Sequence, residues 1–183
     1  IFDKDTLKVI RFTGTPMSFD NRIVGGHEAD IVDHPYQVSF IVNNSFFCGG
    51  FIISKDCIVT AAHCAQDVDP KTVVLRAGSS FRKNGTIIPI AEVIAHPEYD
   101  QPAFDKDVAI MRTEKPIEFS DTIQPIDLPP EGRAMSGGSV INVSGWGRTE
   151  VLLRWYLPTH PLAETFPTSI VFYPKFKFFL AFM

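Results

Sequence analysis

Residues 36–53 read YQVSFIVNNSFFCGGFII and contain the pattern that decides the fold class. Every second residue from Tyr36 to Val42 is apolar, and the intervening residues are mostly polar, which predicts a β-strand with one buried face. Asn43-Asn44 follows and can turn the chain, because asparagine tolerates positive φ. The run 46–53 then returns as a second strand through two glycines. We therefore expect a β-hairpin here.

Short strands with frequent turns continue along the chain. Asn84-Gly85, between apolar residues, predicts a second hairpin. The run 87–94 is typical of a strand, and Pro89 within it indicates an edge or a bulge. Short strands are also predicted at 72–75 and 108–111, and no convincing helical periodicity occurs before Gly147. The pattern is that of an all-β barrel or sandwich.

Composition narrows the class of protein further. The 183 residues suffice for one domain or a small pair, and 45% hydrophobic with 21% charged residues is ordinary for a globular protein. The net charge of −4, without a basic run, argues against a nucleic-acid partner. No apolar stretch is long enough for a transmembrane helix, so we expect no membrane association.

The chain starts at Ile1 without a signal peptide, and we expect the natural N-terminus to lie upstream. Residues 1–22 are polar and unpatterned, which predicts a mobile leader.

The composition changes after Gly147. All twelve glycines lie at or before that residue, whereas 148–183 contains four prolines and nine aromatic residues. A β-domain that continued would still need glycines for its turns. We therefore expect 148–183 to be an atypical tail, either disordered or an artefact of gene prediction. A hydrophobic anchor is the alternative, but Pro174, Lys175 and Lys177 interrupt it.

Two residues suggest proton-transfer chemistry. Asp107 directly precedes a predicted buried strand, where a carboxylate is costly unless it has a partner. His63, in TAAHC at 60–64, is a suitable partner, although a histidine among small residues also fits a structural role. An aspartate that accepts the Nδ1–H fixes the imidazole tautomer and stabilises the imidazolium that forms when Nε2 takes a proton. The pair predicts a general base that takes a proton from a nucleophile.

Five short motifs carry a family resemblance. They are RIVGG at 22–26, CGG at 48–50, TAAHC at 60–64, DVAIM at 107–111 and SGWG at 144–147. With these motifs in this order and at similar spacing, the chain resembles the trypsin- and chymotrypsin-like serine proteases. The resemblance implies two six-stranded antiparallel barrels with the active site in the seam, of which this chain holds the first. The domains implied are a propeptide remnant at 1–22, the first barrel at 23–124, and an interbarrel linker with the first strand of the second barrel at 125–147.

The resemblance also implies roles for individual residues. His63 would be the general base and Asp107 the residue that orients it. Arg22-Ile23 would be the zymogen cleavage point, cut by an activating protease. Cys48 and Cys64 would form a disulfide, worth about 3 kcal/mol for a loop of this size. The protein would be secreted and would act on proteins or peptides without a cofactor. Residues 75–87 lack the paired acidic residues of the family's calcium loop, so no calcium is expected.

Cys57 departs from the family pattern, which has an aromatic residue there. It is the odd cysteine of three, and we expect a free thiol that packs as a small hydrophobe. The alternative is a metal site formed by Cys57, His63 and Cys64. The family resemblance implies no metal. Three glycosylation sequons, at Asn43, Asn84 and Asn142, become relevant if the chain is secreted.

The nucleophile is the missing part of the pattern. In the family the serine lies in a Gly-Asp-Ser-Gly-Gly stretch, which does not occur in this sequence. Ser136 precedes two glycines but lacks the Gly-Asp, and Ser139 has no better context. We therefore expect a chain truncated before the serine, the oxyanion hole and the pocket for the P1 side chain, and inactive as given. The alternative is a non-catalytic, protease-like binding protein.

Overall fold

A computed structural model describes residues 5–12, 27–100, 105–132 and 141–147. These ranges contain ten strands, one short α-helix and two 3₁₀ turns. The predicted cleavage point Arg22-Ile23, Ser136, Ser139 and the tail 148–183 lie outside them. The strands are β1 (Lys8–Phe12), β2 (His27–Glu28), β3 (Gln37–Val42), β4 (Ser45–Ile52), β5 (Cys57–Thr60), β6 (Val73–Ala77), β7 (Thr86–Ile88), β8 (Ile90–Ala95), β9 (Ala109–Thr113) and β10 (Ile141–Gly145). The helix α1 is Ala62–Ala65, and the 3₁₀ turns are Ile31–Asp33 and Pro70–Thr72.

Seven strands form one curled antiparallel sheet in the order β7-β6-β3-β4-β5-β9-β8. The two edge strands, β7 and β8, are consecutive in the chain and are separated only by Pro89. The sheet therefore curls until its first and last strands are joined by one residue. Counted with β7 and β8 as a single strand bent at Pro89, it has the six strands that the resemblance implies. The predicted all-β class is confirmed.

Of the two turns predicted from the sequence, one has the predicted length in the structure and the other is longer. Asn43 and Asn44 both have positive φ, 49° and 63°, and join β3 to β4 in the predicted two-residue turn. The hairpin predicted around Asn84-Gly85 is present, because β6 and β7 pair as antiparallel neighbours, but Ala77 pairs with Thr86 and the connection spans 78–85 instead of two residues. Only Gly85 of that dipeptide has positive φ. The longer loop exists because its residues make contacts elsewhere.

The core lies on the concave side of the curled sheet. Its fully buried large side chains come from β3, β4, β5, β6 and β9, so that distant parts of the chain meet in one cluster. Burial of each such side chain stabilises the fold by roughly 1.5–3 kcal/mol. These residues are Val38, Phe40, Ile52, Ile58, Leu75 and Met111.

The second face of β3 is also buried, contrary to the prediction of one buried face. Gln37 and Ser39 are only 1% and 0% exposed. The Ser39 hydroxyl donates to the carbonyl of Arg82, and the Gln37 side chain accepts a hydrogen bond from the Ser144 hydroxyl. Polar side chains therefore remain satisfied beneath the 78–85 loop and β10.

A second sheet, in the order β10-β1-β2, lies beside the first. Its central strand, β1, belongs to the predicted leader and pairs with β10 over five residues and with β2 over two. Leu7, just before β1, is fully buried against Ile31 and Trp146. The expectation of a mobile leader is therefore wrong for residues 5–12. Five residues are too few for a clear periodic pattern, and the partners that order this strand lie far along the chain.

Candidate active site

The strand register brings His63 and Asp107 together. β5 and β9 are antiparallel neighbours in which Thr60 pairs with Ala109. His63 follows Thr60 by three residues, and Asp107 precedes Ala109 by two, so both leave the sheet at the same end. The Thr60 hydroxyl donates to the carbonyl of Gly49 at 2.8 Å, which fixes the end of β5 against β4.

The His63 side chain makes a short bond to the Asp107 carboxylate. His63 Nδ1 lies 2.7 Å from Oδ2 of Asp107. The other carboxylate oxygen, Oδ1, accepts the backbone N–H of His63 at 2.8 Å. Two bonds to one residue fix both the ring and the carboxylate. The side chains remain 30% and 22% exposed, so the pair is accessible from solvent.

Asp107 also acts as the N-terminal cap of α1. The residue at the cap position, Ala61, has no side chain that can accept a hydrogen bond. Asp107 accepts from the backbone amides of Ala62 and His63 instead. This satisfies N–H groups that a helix start leaves unpaired, and it places a negative charge at the positive end of the helix. The same carboxylate thus orders the short helix and its histidine.

Asp107 stays ionised despite its partial burial. Burial alone would raise the pKa of this carboxyl, but the hydrogen bonds from the His63 side chain and backbone and from the Ala62 amide outweigh it. The pKa of Asp107 therefore lies below its ordinary value. An ionised carboxylate accepts the Nδ1–H and leaves the lone pair of the neutral ring on Nε2.

Small residues allow α1 to lie close to the sheet. Ala62, Ala65 and Ala109 form a buried cluster against which Tyr99 packs. Burial and the nearby charge of Asp107 raise the pKa of Tyr99. Sequence reasoning missed this tyrosine, because its position in the loop after β8 carries no pattern that relates it to Asp107.

A disulfide anchors the other side of the histidine. Cys48 in β4 and Cys64 in α1 are joined, with their Cα atoms 6.3 Å apart. The Sγ of Cys64 lies 3.2 Å from Nε2 of His63. The ring is thus held between the carboxylate at Nδ1 and the disulfide near Nε2.

Cys57 lies away from this site. It begins β5 and His63 follows the end of that strand, which separates them by about 10 Å of extended chain. Burial and the neighbouring Asp56 raise the pKa of its thiol. Among the described residues, the one cluster with ligand atoms close enough for a metal is Cys48, His63 and Cys64, within 4.8 Å. The alternative metal site that includes Cys57 has no support among the described residues. The sulfur atoms of Cys48 and Cys64 are bonded to each other in the disulfide.

The three glycosylation sequons lie at the surface. The asparagine of each is exposed: Asn43, Asn84 and Asn142. Within the described ranges, no helix has the length and apolar character to cross a bilayer.

The comparisons with known proteins agree with this geometry. The family model for Trypsin matches residues 23–159. Trypsin of Phaedon cochleariae is 36% identical over 132 residues, which are 70% of this chain and 51% of that protein. The vitellin-degrading protease of Bombyx mori is also 36% identical, covering 72% of this chain and 50% of its own length. Trypsin 5G1 of Aedes aegypti is 37% identical over 75% of this chain and 54% of its own.

A solved structure shows the same fold. The crystal structure of the scabies mite inactivated protease paralogue S-D1 superposes with a TM-score of 0.55 at 26% identity, over 67% of this chain and 61% of that one. The chain spans about half the length of the curated relatives that it matches. On the family match and the identity to several trypsins, the chain belongs to the trypsin family.

Proposed function

We propose that His63 and Asp107 are the base and its orienting carboxylate in a serine endopeptidase. The observation that carries this proposal is the 2.7 Å contact between His63 Nδ1 and Asp107 Oδ2, with the pKa of Asp107 held low. With Nδ1 bonded to the carboxylate, Nε2, which lies 3.2 Å from the Cys64 sulfur, is the ring atom that takes the proton of an attacking hydroxyl. The carboxylate then stabilises the imidazolium, and a general base of this kind contributes roughly 10²- to 10⁴-fold to the rate.

We also propose that the nucleophilic serine belongs to a part of the protein beyond these 183 residues. The chain spans about half of each curated relative, and no Gly-Asp-Ser-Gly-Gly stretch occurs in it. In a hydrolase with the same triad, loss of the serine alone lowers kcat by about 2 × 10⁶. The 183-residue chain is therefore expected not to hydrolyse peptide bonds.

The remaining features of the proposal come from the family. The longer protein is secreted, acts on proteins or peptides and needs no cofactor. An activating protease cuts it between Arg22 and Ile23. Residues 1–22 are the end of a propeptide, residues 23–124 form the first barrel, and the segment that follows leads into the second. The exposed sequons and the disulfide support an oxidising, secretory route.

Labelling with a fluorophosphonate probe tests the assignment of the nucleophile. The 183-residue chain is expected to take up no label. Label that disappears on Ser136→Ala would overturn the expectation and assign the serine to this chain.

The longer open reading frame tests the base. Sequencing the transcript beyond the codon for Gly147 is expected to reveal a Gly-Asp-Ser-Gly-Gly segment. In the protein expressed from that frame, His63→Ala should abolish labelling and peptide hydrolysis. His96→Ala is the matched control, because the His96 ring accepts a hydrogen bond from the backbone N–H of Glu98 and takes no part in the contact between His63 and Asp107. Equal activity of the two variants would contradict the proposal.

A second candidate is a non-catalytic protein that binds a partner through the barrel. It is favoured by the likeness to an inactivated protease paralogue. It requires a transcript that ends at Met183 and a 183-residue product that unfolds cooperatively. An aggregated product, or a frame that continues into the serine loop, would exclude it.

A further inference from the structure

The side chains of Cys48, His63 and Cys64 bring together three atoms that can bind a metal ion. Cys48 lies in β4, and the other two are adjacent residues of α1. The two Sγ atoms and a ring nitrogen of His63 all lie within 4.8 Å of one another, and Cys64 Sγ lies 3.2 Å from Nε2. The two sulfur atoms are joined in the disulfide, so the set can bind a metal only when that bond is reduced.

The reduced form is the state in which the chain is synthesised, because disulfides form later, in an oxidising compartment. In that state Cys48 and Cys64 are two thiols at a buried position, where the residues are 1% and 2% exposed. Thiolates are preferred ligands of Zn²⁺, but burying them without an opposite charge is costly. A divalent cation between them supplies that charge.

The spacing of the three atoms fits a tetrahedral zinc ion. With Zn–S bonds of about 2.3 Å and Zn–N bonds of about 2.0–2.1 Å, the ligand atoms of one site lie roughly 3.5–3.8 Å apart. The distance of 3.2 Å between Cys64 Sγ and His63 Nε2 is close to this value. The Cα atoms of Cys48 and Cys64 are 6.3 Å apart, so rotation of the two side chains can bring the separated sulfur atoms to the same spacing.

Asp107 supplies the outer contact that a zinc-binding histidine ordinarily has. Such a histidine binds the metal through one ring nitrogen and donates its other N–H to a carboxylate or carbonyl, which fixes the ring and makes the ligand more basic. His63 Nδ1 lies 2.7 Å from Asp107 Oδ2, which leaves Nε2 on the side of Cys64. Asp107 also accepts the backbone N–H of His63 at 2.8 Å. These two bonds hold the histidine independently of the disulfide.

From these contacts we propose that the reduced chain binds Zn²⁺ through Cys48 Sγ, Cys64 Sγ and His63 Nε2. Water is the fourth ligand and enters from the side on which the His63 side chain is 30% exposed. Asp107 is the positioning residue. All three ligands lie between residues 48 and 64, so the site needs no further part of the protein.

Zinc and the disulfide are alternative cross-links of the same loop. Binding of Zn²⁺ converts the two thiols to thiolates and releases their two protons. A low-molecular-weight disulfide then oxidises the site: the two zinc-bound sulfur atoms form the bond between Cys48 and Cys64, the oxidant leaves as two thiolates, and Zn²⁺ is released. The chain therefore exchanges a metal for a covalent bond.

One consequence rests on the function proposed above. Nε2 of His63 is the atom that takes the proton of the attacking hydroxyl, and it cannot do so while it binds a metal. The longer protein would therefore stay inactive until the disulfide forms. Metal binding itself is measured on the 183-residue chain without a catalytic readout, so its success or failure is separate from that of the proposed function.

Co²⁺ is the spectroscopic probe for the site. The full chain is reduced with a water-soluble phosphine, which becomes the phosphine oxide, then desalted without oxygen and titrated with Co²⁺. We expect a near-ultraviolet thiolate-to-metal band and the visible absorption of a tetrahedral ion. Both should saturate at one equivalent, disappear when Zn²⁺ is added, and be absent from the oxidised chain. Reduced protein without these bands, or without folded circular dichroism when Zn²⁺ is present, would overturn the proposal.

Variants assign the ligands. Asp107→Asn should weaken Zn²⁺ binding by about 10- to 100-fold, as expected for the outer partner of a ligand, and His63→Ala should weaken it further. His96→Ala and Cys57→Ala are the matched controls and should bind as wild type does. Equal affinities of wild type and His63→Ala would show that the thiols alone bind the metal. A loss of binding in Cys57→Ala would assign the metal to a different set of ligands. Either result would overturn the proposal.

Thermal unfolding tests the same site in variants of different stability. A metal that binds only the folded state raises Tm. Zn²⁺ is therefore expected to raise the Tm of the reduced wild type and of reduced His96→Ala, and to leave the oxidised wild type unchanged. An equal rise in reduced His63→Ala, or an equal rise in the oxidised chain, would contradict a site made of Cys48, Cys64 and His63.

Discussion

Thr60 and Ala109 lie opposite each other in β5 and β9, and this single register pair determines where the candidate site forms. His63 and Asp107 leave the paired strands at the same end and meet 2.7 Å apart. A shift of one residue would turn every side chain of the shifted strand to the other face of the sheet. The site therefore depends on the packing that fixes this register.

The packing beneath the register pair gives the first prediction. Ile58 in β5 is fully buried, whereas Ile87 in β7 is 52% exposed. Ile58→Ala is expected to lower the free energy of unfolding by about 2–5 kcal/mol, because it removes buried methyl groups and leaves a cavity. Ile87→Ala should cost less than about 1 kcal/mol. Urea denaturation measures both, and similar costs would mean that β5 is not in the core.

The charge of Asp107 gives the second prediction. Its pKa is lowered in the folded protein, so its ionised form stabilises the fold. That contribution is complete above the unfolded value of about 3.9 and is lost as pH falls through the lower folded pKa. Asp107→Asn should therefore be less stable than wild type at pH 5–7, and the difference should shrink toward pH 3.

The partner of Asp107 provides the control for this pH profile. His63→Ala removes the side-chain hydrogen bond but leaves the backbone N–H that Oδ1 accepts. In that background the pH-dependent effect of Asp107→Asn should become smaller. A difference between wild type and Asp107→Asn that stays constant from pH 7 to pH 3 would contradict a lowered pKa.

The disulfide gives the third prediction. Cys48 and Cys64 are 16 residues apart in sequence, and a cross-link of this span stabilises a fold by about 3 kcal/mol in the chain-entropy picture. Replacing both cysteines by alanine should lower the free energy of unfolding by about that amount. The comparison is Cys57→Ala, which leaves the disulfide intact. A loss below about 1 kcal/mol for the double variant would show that the cross-link constrains little.

Local chemistry explains what could be predicted from the sequence. The Asn43-Asn44 turn depends only on two residues that tolerate positive φ, and it was predicted correctly. The pairing of His63 with Asp107 was also predicted, because a carboxylate before a buried strand needs a partner. The order of the motifs then indicated which residue that partner was.

Long-range contacts explain what could not be predicted. Gln37 and Ser39 are polar and suggested an exposed face, but their partners are Ser144 and the carbonyl of Arg82, far along the chain. The docking of Leu7 likewise depends on Trp146. Periodicity within one strand carries no information about such partners, and so the second sheet was missed.

The thiol of Cys57 gives the fourth prediction. Its side chain is partly buried, and burial together with Asp56 raises its pKa. Because the thiolate is the reactive form, alkylation by iodoacetamide at pH 7.5 should be slower in the folded protein than in the same chain unfolded in urea. The rate should still be rising at pH values where a free cysteine has reached its plateau. Cys57→Ser should take up no reagent, since the other two cysteines are paired. Equal rates for the folded and unfolded chains at pH 7.5 would show that the thiol is neither shielded nor shifted.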